Sequence, residues 1–176
     1  LPATNDRPPG SVTELWVDSR DGSVWAGLRE HSSEMEPRAG PWHSFDQGRT
    51  WQRVRLDRGD LLIRTIGRNA RGELLIGATS VSGTNASYVY RSADNGTTWA
   101  SVELPPIEDT SGDELSALVA HPSDAQLLFV VTTAGKVRRS GDGGTTWSCD
   151  PSSAACAEER AFSQLVIEPD GPQALP

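Results

Sequence analysis

The sequence predicts an all-β chain of repeated four-stranded antiparallel units. Three observations predict it: an octapeptide written three times at a constant period, short apolar-rich runs bounded by turn signals, and no sustained helical periodicity. Ser44-Phe45-Asp46-Gln47-Gly48-Arg49-Thr50-Trp51 returns as Ser92-Ala93-Asp94-Asn95-Gly96-Thr97-Thr98-Trp99. It returns again as Ser140-Gly141-Asp142-Gly143-Gly144-Thr145-Thr146-Trp147. The step is 48 residues both times, Ser44 to Ser92 and Ser92 to Ser140, so motif and period recur together.

Between the octapeptides the apolar runs have strand length. Val12–Val17 and Ser23–Leu28 precede the first copy, and Leu62–Ile66, Glu73–Ala78 and Tyr88–Arg91 precede the second. Leu115–Ala120, Leu127–Thr132 and Lys136–Arg139 precede the third. Each unit then has an inner strand, a second, a third running into the octapeptide, and a fourth leaving it through Trp. The best helical candidate, Ala154–Phe162, is short enough for a turn or two.

The octapeptide has the chemistry of a hairpin turn. A short Asp side chain accepts hydrogen bonds from backbone N–H groups one to three residues on, Gly takes a positive φ, and Ser and Thr hydroxyls tie the ends. Trp51, Trp99 and Trp147 then begin the outgoing strand, where an indole is expected to wedge into the core and its N–H to find a carbonyl.

The pattern Ser-x-Asp-x-Gly-x-Thr-Trp resembles the Asp-box, or BNR repeat, of sialidase-like and related β-propellers. That resemblance implies a propeller portion of three four-stranded blades plus the start of a fourth. The blades are expected at about 11–57, 61–105 and 114–150, with the start of the fourth at about 161–176. Phe162–Glu168 followed by Pro169-Asp170-Gly171 matches Leu115–Ala120 and its turn, so a fourth inner strand begins there. Three blades and one strand do not close a ring, because propellers use four to eight blades and an open end leaves sheet edges in water. The chain is therefore expected to be a fragment of a larger propeller, the reading its mid-blade ending favours, or one half of a ring completed by a second chain or copy.

Composition narrows the function. With 36 % hydrophobic residues and 17 glycines the chain can build a core, and its longest apolar run, Leu127–Val131, is far too short to span a bilayer. Sixteen Lys and Arg against 24 Asp and Glu give a net charge of −8, and with no Lys/Arg cluster in view nucleic acid is not expected as a partner. Met35 is the one methionine, so residue 1 is not expected to be a translation start. Cys149 and Cys156 bracket six turn-rich residues, a spacing that can close a small disulfide loop and would place the protein in an extracellular or periplasmic compartment. His31, His43 and His121 have no metal-ligand spacing, so neither a metal nor a cofactor is expected.

Binding chemistry is expected where second-to-third-strand loops and inter-blade links converge. Unit one inserts Arg29–Gly40 there, unit two the small polar stretch Thr79–Ser87, and unit three only Thr133–Gly135. Within the charged insertion Arg29, Glu30, His31 and Arg38 are the candidate binding residues. Resemblance to sialidases implies a three-arginine clamp, a Tyr/Glu pair and an Asp acid/base. Their Arg-Ile-Pro motif is absent, and sequence does not show Arg64, Arg68 and Arg91 converging.

The stretch Leu118-Val119-Ala120-His121-Pro122-Ser123-Asp124 is more similar to xyloglucanase-type, sortilin-like and photosystem-assembly-factor-like propellers. The xyloglucanase resemblance implies a catalytic Asp just after a second strand, where this chain has Ser80, Thr133 and, in unit one, Glu30. A glycosidase needs two carboxylates facing each other about 5–10 Å apart. Glu30 is the candidate catalytic residue and has no second carboxylate named to face it. The sequence thus predicts an exported propeller portion that binds a polypeptide or glycan, with an incomplete piece of a glycoside hydrolase as the alternative.

Overall fold

A computed structural model describes residues 11–29, 39–82, 86–105 and 113–148. Glu30, His31, Arg38, Cys149, Cys156, the Ala154–Phe162 segment and the expected fourth-blade strand lie outside these residues. The first sheet comprises β1 (Ser11–Val17), β2 (Val24–Arg29), β3 (Gly40–Ser44) and β4 (Gln52–Arg53), in that spatial order. The second repeats it with β5 (Leu61–Arg68), β6 (Leu74–Ser80), β7 (Ser87–Ser92) and β8 (Ala100–Glu103). The third contains β9 (Leu115–Ala120), β10 (Leu128–Thr132) and β11 (Val137–Ser140), and a bridge from Arg139 to Ser148 continues it outward. Every pairing is antiparallel, as hairpin connections require.

The first strands of the sheets stand side by side. The Thr13 hydroxyl donates to the Ile63 carbonyl at 3.0 Å, and the Leu118 amide donates to Thr65 Oγ1 at 3.2 Å. The octapeptides join the third strand to the outermost one, so they lie at the far edge of each sheet.

Period-two alternation divides the second sheet between two cores. Ile63, Leu74, Ile76 and Tyr90 pack with Trp25 of the first sheet, while Leu75 and Val89 pack with Leu115, Leu118, Leu128 and Val130 of the third. Burial of each such side chain contributes roughly 1.5–3 kcal/mol. All seven residues of β6 are buried, and that is why Leu74-Leu75-Ile76 is unbroken apolar sequence. Close approach is possible because the second strands carry Gly27 and Gly77 where the neighbouring sheet is nearest. A Cβ on Gly27 would lie 2.6 Å from Ile63 Cβ, and one on Gly77 3.0 Å from a Leu115 methyl.

The expected loop boundaries need correction. Thr79, Ser80 and Ser87 belong to strands, as do Arg29 and Gly40. Their small polar side chains resemble loop sequence, yet Thr79, Ser80 and Ser87 are buried; Ser87 Oγ, for example, accepts the Leu115 amide at 2.8 Å. The turn after each inner strand is held by a different residue type doing one job. Asp18 Oδ1 accepts the Arg20 amide, Asn69 Oδ1 those of Arg71 and Glu73, and His121 Nδ1 those of Ser123 and Asp124.

Candidate functional site

The octapeptide turns are built almost identically. Ser44 Oγ accepts the Gly48 amide at 2.8 Å and donates to Asp46 Oδ1 at 2.9 Å. Thr50 donates twice to the same carboxylate, through its amide at 2.8 Å and its hydroxyl at 2.7 Å. In the second copy Ser92, Asp94 and Thr98 repeat these bonds; in the third, Ser140, Asp142 and Thr146 do so. The Asp therefore reaches four residues on, beyond the expected one to three, although Asp142 also takes the Thr145 amide at three. Gly48, Gly96 and Gly144 have φ of 86°, 86° and 92°, and the residue before each is also left-handed, the pair a type I′ hairpin turn demands.

Trp51, Trp99 and Trp147 are half-buried and each packs against a core cluster, while each indole N–H donates at 3.0 Å to the carbonyl of its own motif glycine. Hydrogen bonds led by the Thr50, Thr98 and Thr146 hydroxyls hold the Asp46, Asp94 and Asp142 carboxyls down at about 2. These groups are ionised and engaged at neutral pH, so they serve the turn and cannot supply a proton.

The opposite end of the first sheet carries one of two cavities. Arg29 ends β2 there and is exposed; its predicted companions Glu30, His31 and Arg38 lie outside the described residues. A cavity of about 250 Å³ opens between Ala39, Gly40 and Pro41 on one side and Arg53, Val54, Arg55, Leu56, Arg58 and Gly59 on the other. Arg53 donates to the Ala39 carbonyl at 3.1 Å, while its buried Nε has no hydrogen-bond partner. Arg58 sits over the Tyr88 ring, 4.4 Å from its centroid. Three arginines thus line a cavity with no carboxylate among its described lining residues. The expectation of no Lys/Arg cluster is corrected here: Arg49, Arg53, Arg55 and Arg58 fall within ten residues, a local density that the net charge of −8 hides.

A second cavity, also of about 250 Å³, adjoins the first through Arg53, Val54 and Arg55 and reaches Asn95, Gly96 and Thr97 of the second octapeptide. Its aromatic wall is Trp25, His43 and Phe45. His43 stacks on Trp25 with centroids 3.9 Å apart and 19° between planes, and Phe45 tilts over His43 at 4.0 Å. Trp25 Nε1 and His43 Nε2 are buried without hydrogen-bond partners. Burial pulls the His43 imidazole down to about 4, against the opposing pull of Asp21 and Asp18, so it is neutral at pH 7. No sequence spacing announces this cluster, because it joins adjacent strands of one sheet to the turn of the next.

The other arginines do not converge. Arg64 pairs with Glu114 at 2.7 Å, Arg68 with Asp18 at 2.6 Å, and Arg91 lies 4.0 Å from Glu73. Ser80 and Thr133, at the positions the xyloglucanase resemblance singles out, donate their hydroxyls to Asp60 and Asp113 at 2.5 and 3.0 Å. Hydrogen bonds from the Ser80 and Ser82 hydroxyls hold the Asp60 carboxyl below its usual range.

Solved structures with related backbones include the GH74 xyloglucanase of Xanthomonas campestris, at a TM-score of 0.59 and 19 % identity over 78 % of this chain and 21 % of that one. The fold is that of a β-propeller segment. YCF48 of Cyanidioschyzon merolae aligns at 0.55 and 18 % identity, covering 83 % of this chain and 42 % of its own. A structure of YCF48 bound to a D1 peptide aligns at 0.55 and 17 %, covering 84 % and 44 %. The chain therefore spans less than half the length of each. No protein-family model matches it, and no curated protein does.

Proposed function

We propose that the octapeptides are Asp-boxes and that the chain is part of an exported Asp-box propeller, a rigid scaffold binding a polypeptide or glycan at the arginine-lined cavity. The observation that carries this reading is the group of three arginines, Arg53, Arg55 and Arg58, around a cavity with no carboxylate among its described lining residues. Arg55 and Arg58 are exposed and Arg53 is half-buried, so their charges can form charge-assisted hydrogen bonds with a bound ligand. The peptide held by a similarly folded YCF48 supports a polypeptide as one such ligand. Export rests on a Cys149–Cys156 disulfide forming in an oxidising compartment. A second chain or copy would cover the open face of the first sheet, where Val12, Leu15 and Val17 are more than half exposed.

The test is a screen of the purified protein, and of its Arg53→Ala/Arg58→Ala variant, against peptide and oligosaccharide libraries, with reducing-sugar release measured in parallel. Ligand capture lost in the variant, without hydrolysis, is the expected result. Hydrolysis abolished by Glu30→Gln would replace the scaffold with the hydrolase alternative.

A further inference from the structure

We propose that the two cavities work as one groove along β4 that holds an extended acidic polypeptide segment of a partner. In it, ligand carboxylates meet Arg53, Arg55 and Arg58 while an apolar ligand side chain lies against Phe45. The inference rests on the binding-scaffold reading and narrows it to one ligand class.

Continuity comes from Arg53, Val54 and Arg55, which line both cavities. Edge geometry comes from β4, which among the described residues pairs with β3 alone. The Val54 amide donates inward to the Pro41 carbonyl at 2.9 Å. By the alternation of antiparallel ladders, the peptide groups of Arg53 and Arg55 then face outward, where an added strand can pair with them. Charge comes from Arg53, Arg55 and Arg58: the ion pairs among the described residues engage Arg64, Arg68 and Arg91 instead, although Arg58 shares its field with Asp60. An uncharged glycan brings hydroxyls but nothing to compensate three cations, whereas planar carboxylates match the guanidinium fork. At the far end Phe45 is 69 % exposed and offers an apolar ligand side chain an uncovered ring.

The experiment is fluorescence anisotropy with three labelled probes: an octapeptide of glutamate and phenylalanine, its glutamine and phenylalanine counterpart, and an oligogalacturonate. Arg55 and Arg71 are both exposed, so Arg55→Glu and Arg71→Glu reverse one charge inside and one outside the groove without disturbing a core. The acidic peptide should bind with an affinity that falls as salt rises, at least tenfold more weakly to Arg55→Glu and unchanged to Arg71→Glu. Phe45→Ser should weaken it severalfold. Equal binding of the glutamine peptide, or equal loss in Arg71→Glu, would overturn the proposal. Binding of the oligogalacturonate alone would overturn the polypeptide assignment but leave the scaffold reading standing, and no binding of any probe would overturn both.

Discussion

Alanine at Gly96 and alanine at Gly48 differ in one structural respect. Both glycines have φ of 86°, where an L-residue costs about 1–2 kcal/mol, so that penalty is common to the pair. A Cβ on Gly48 finds nothing nearer than Trp51 Cζ2 at 3.7 Å, an ordinary contact. On Gly96 it would lie 2.7 Å from Trp25 Cη2 and 3.4 Å from Trp99 Cζ2. Trp25 is 1 % exposed and stacked on His43, so it cannot swing aside without opening the core between the first two sheets. Overpacking of this kind costs roughly 1–3 kcal/mol. Gly96→Ala should therefore be less stable than Gly48→Ala by about that difference, read from urea unfolding midpoints at constant m-value. Because Gly96 and Trp25 share the aromatic cavity, Gly96→Ala should also weaken ligand capture. Equal midpoints would refute the argument that the second octapeptide packs against the first sheet.

The remaining predictions concern charge and burial. His43 is held near 4 when folded but titrates near 6.5 when unfolded, so the unfolded chain binds more protons between these values and stability falls as pH drops from 6.5 to 4. The full effect is roughly 3 kcal/mol, and urea midpoints of His43→Phe should decline less steeply over that window than those of the wild type. Parallel declines would show that His43 does not titrate differently on unfolding. Arg68 reaches Asp18, the Gly72 carbonyl and Asn95, tying the first sheet to the second octapeptide. Arg68→Met leaves Asp18, which is 1 % exposed, without its cation and should cost about 3 kcal/mol or more in thermal or urea unfolding. Tyr90→Phe removes the 2.7 Å bond from its buried hydroxyl to Asp57 and should cost about 1 kcal/mol by the same measurement.

Much of the architecture is legible in the sequence because it is written in short-range rules. Leu115–Ala120 reads as a strand and is one over that span, with Leu115 and Leu118 buried in the core it shares with the second sheet. The octapeptides are legible because Ser, Asp, Gly and Thr are all needed within one hairpin. Strand ends are less legible: Ser80 and Ser87 have loop chemistry, and only the neighbouring Asp60 and Leu115 amide make their burial favourable. Asp18, Asn69 and His121 share no side-chain type, so the turn they each hold cannot be found by looking for a repeat. The groove was hidden for a different reason. Arg53, Arg55 and Arg58 are neighbours in the chain, but their meeting with Pro41, and the approach of Gly96 to Trp25, depend on how β4 and the next sheet are placed.

Amide hydrogen exchange of the intact protein, with and without the acidic octapeptide, tests the account at its centre. The groove predicts slowed exchange confined to residues 39–41, 52–56 and 95–97. Slowing instead along the inner strands at 64–68 and 115–118, with β4 unchanged, would contradict it.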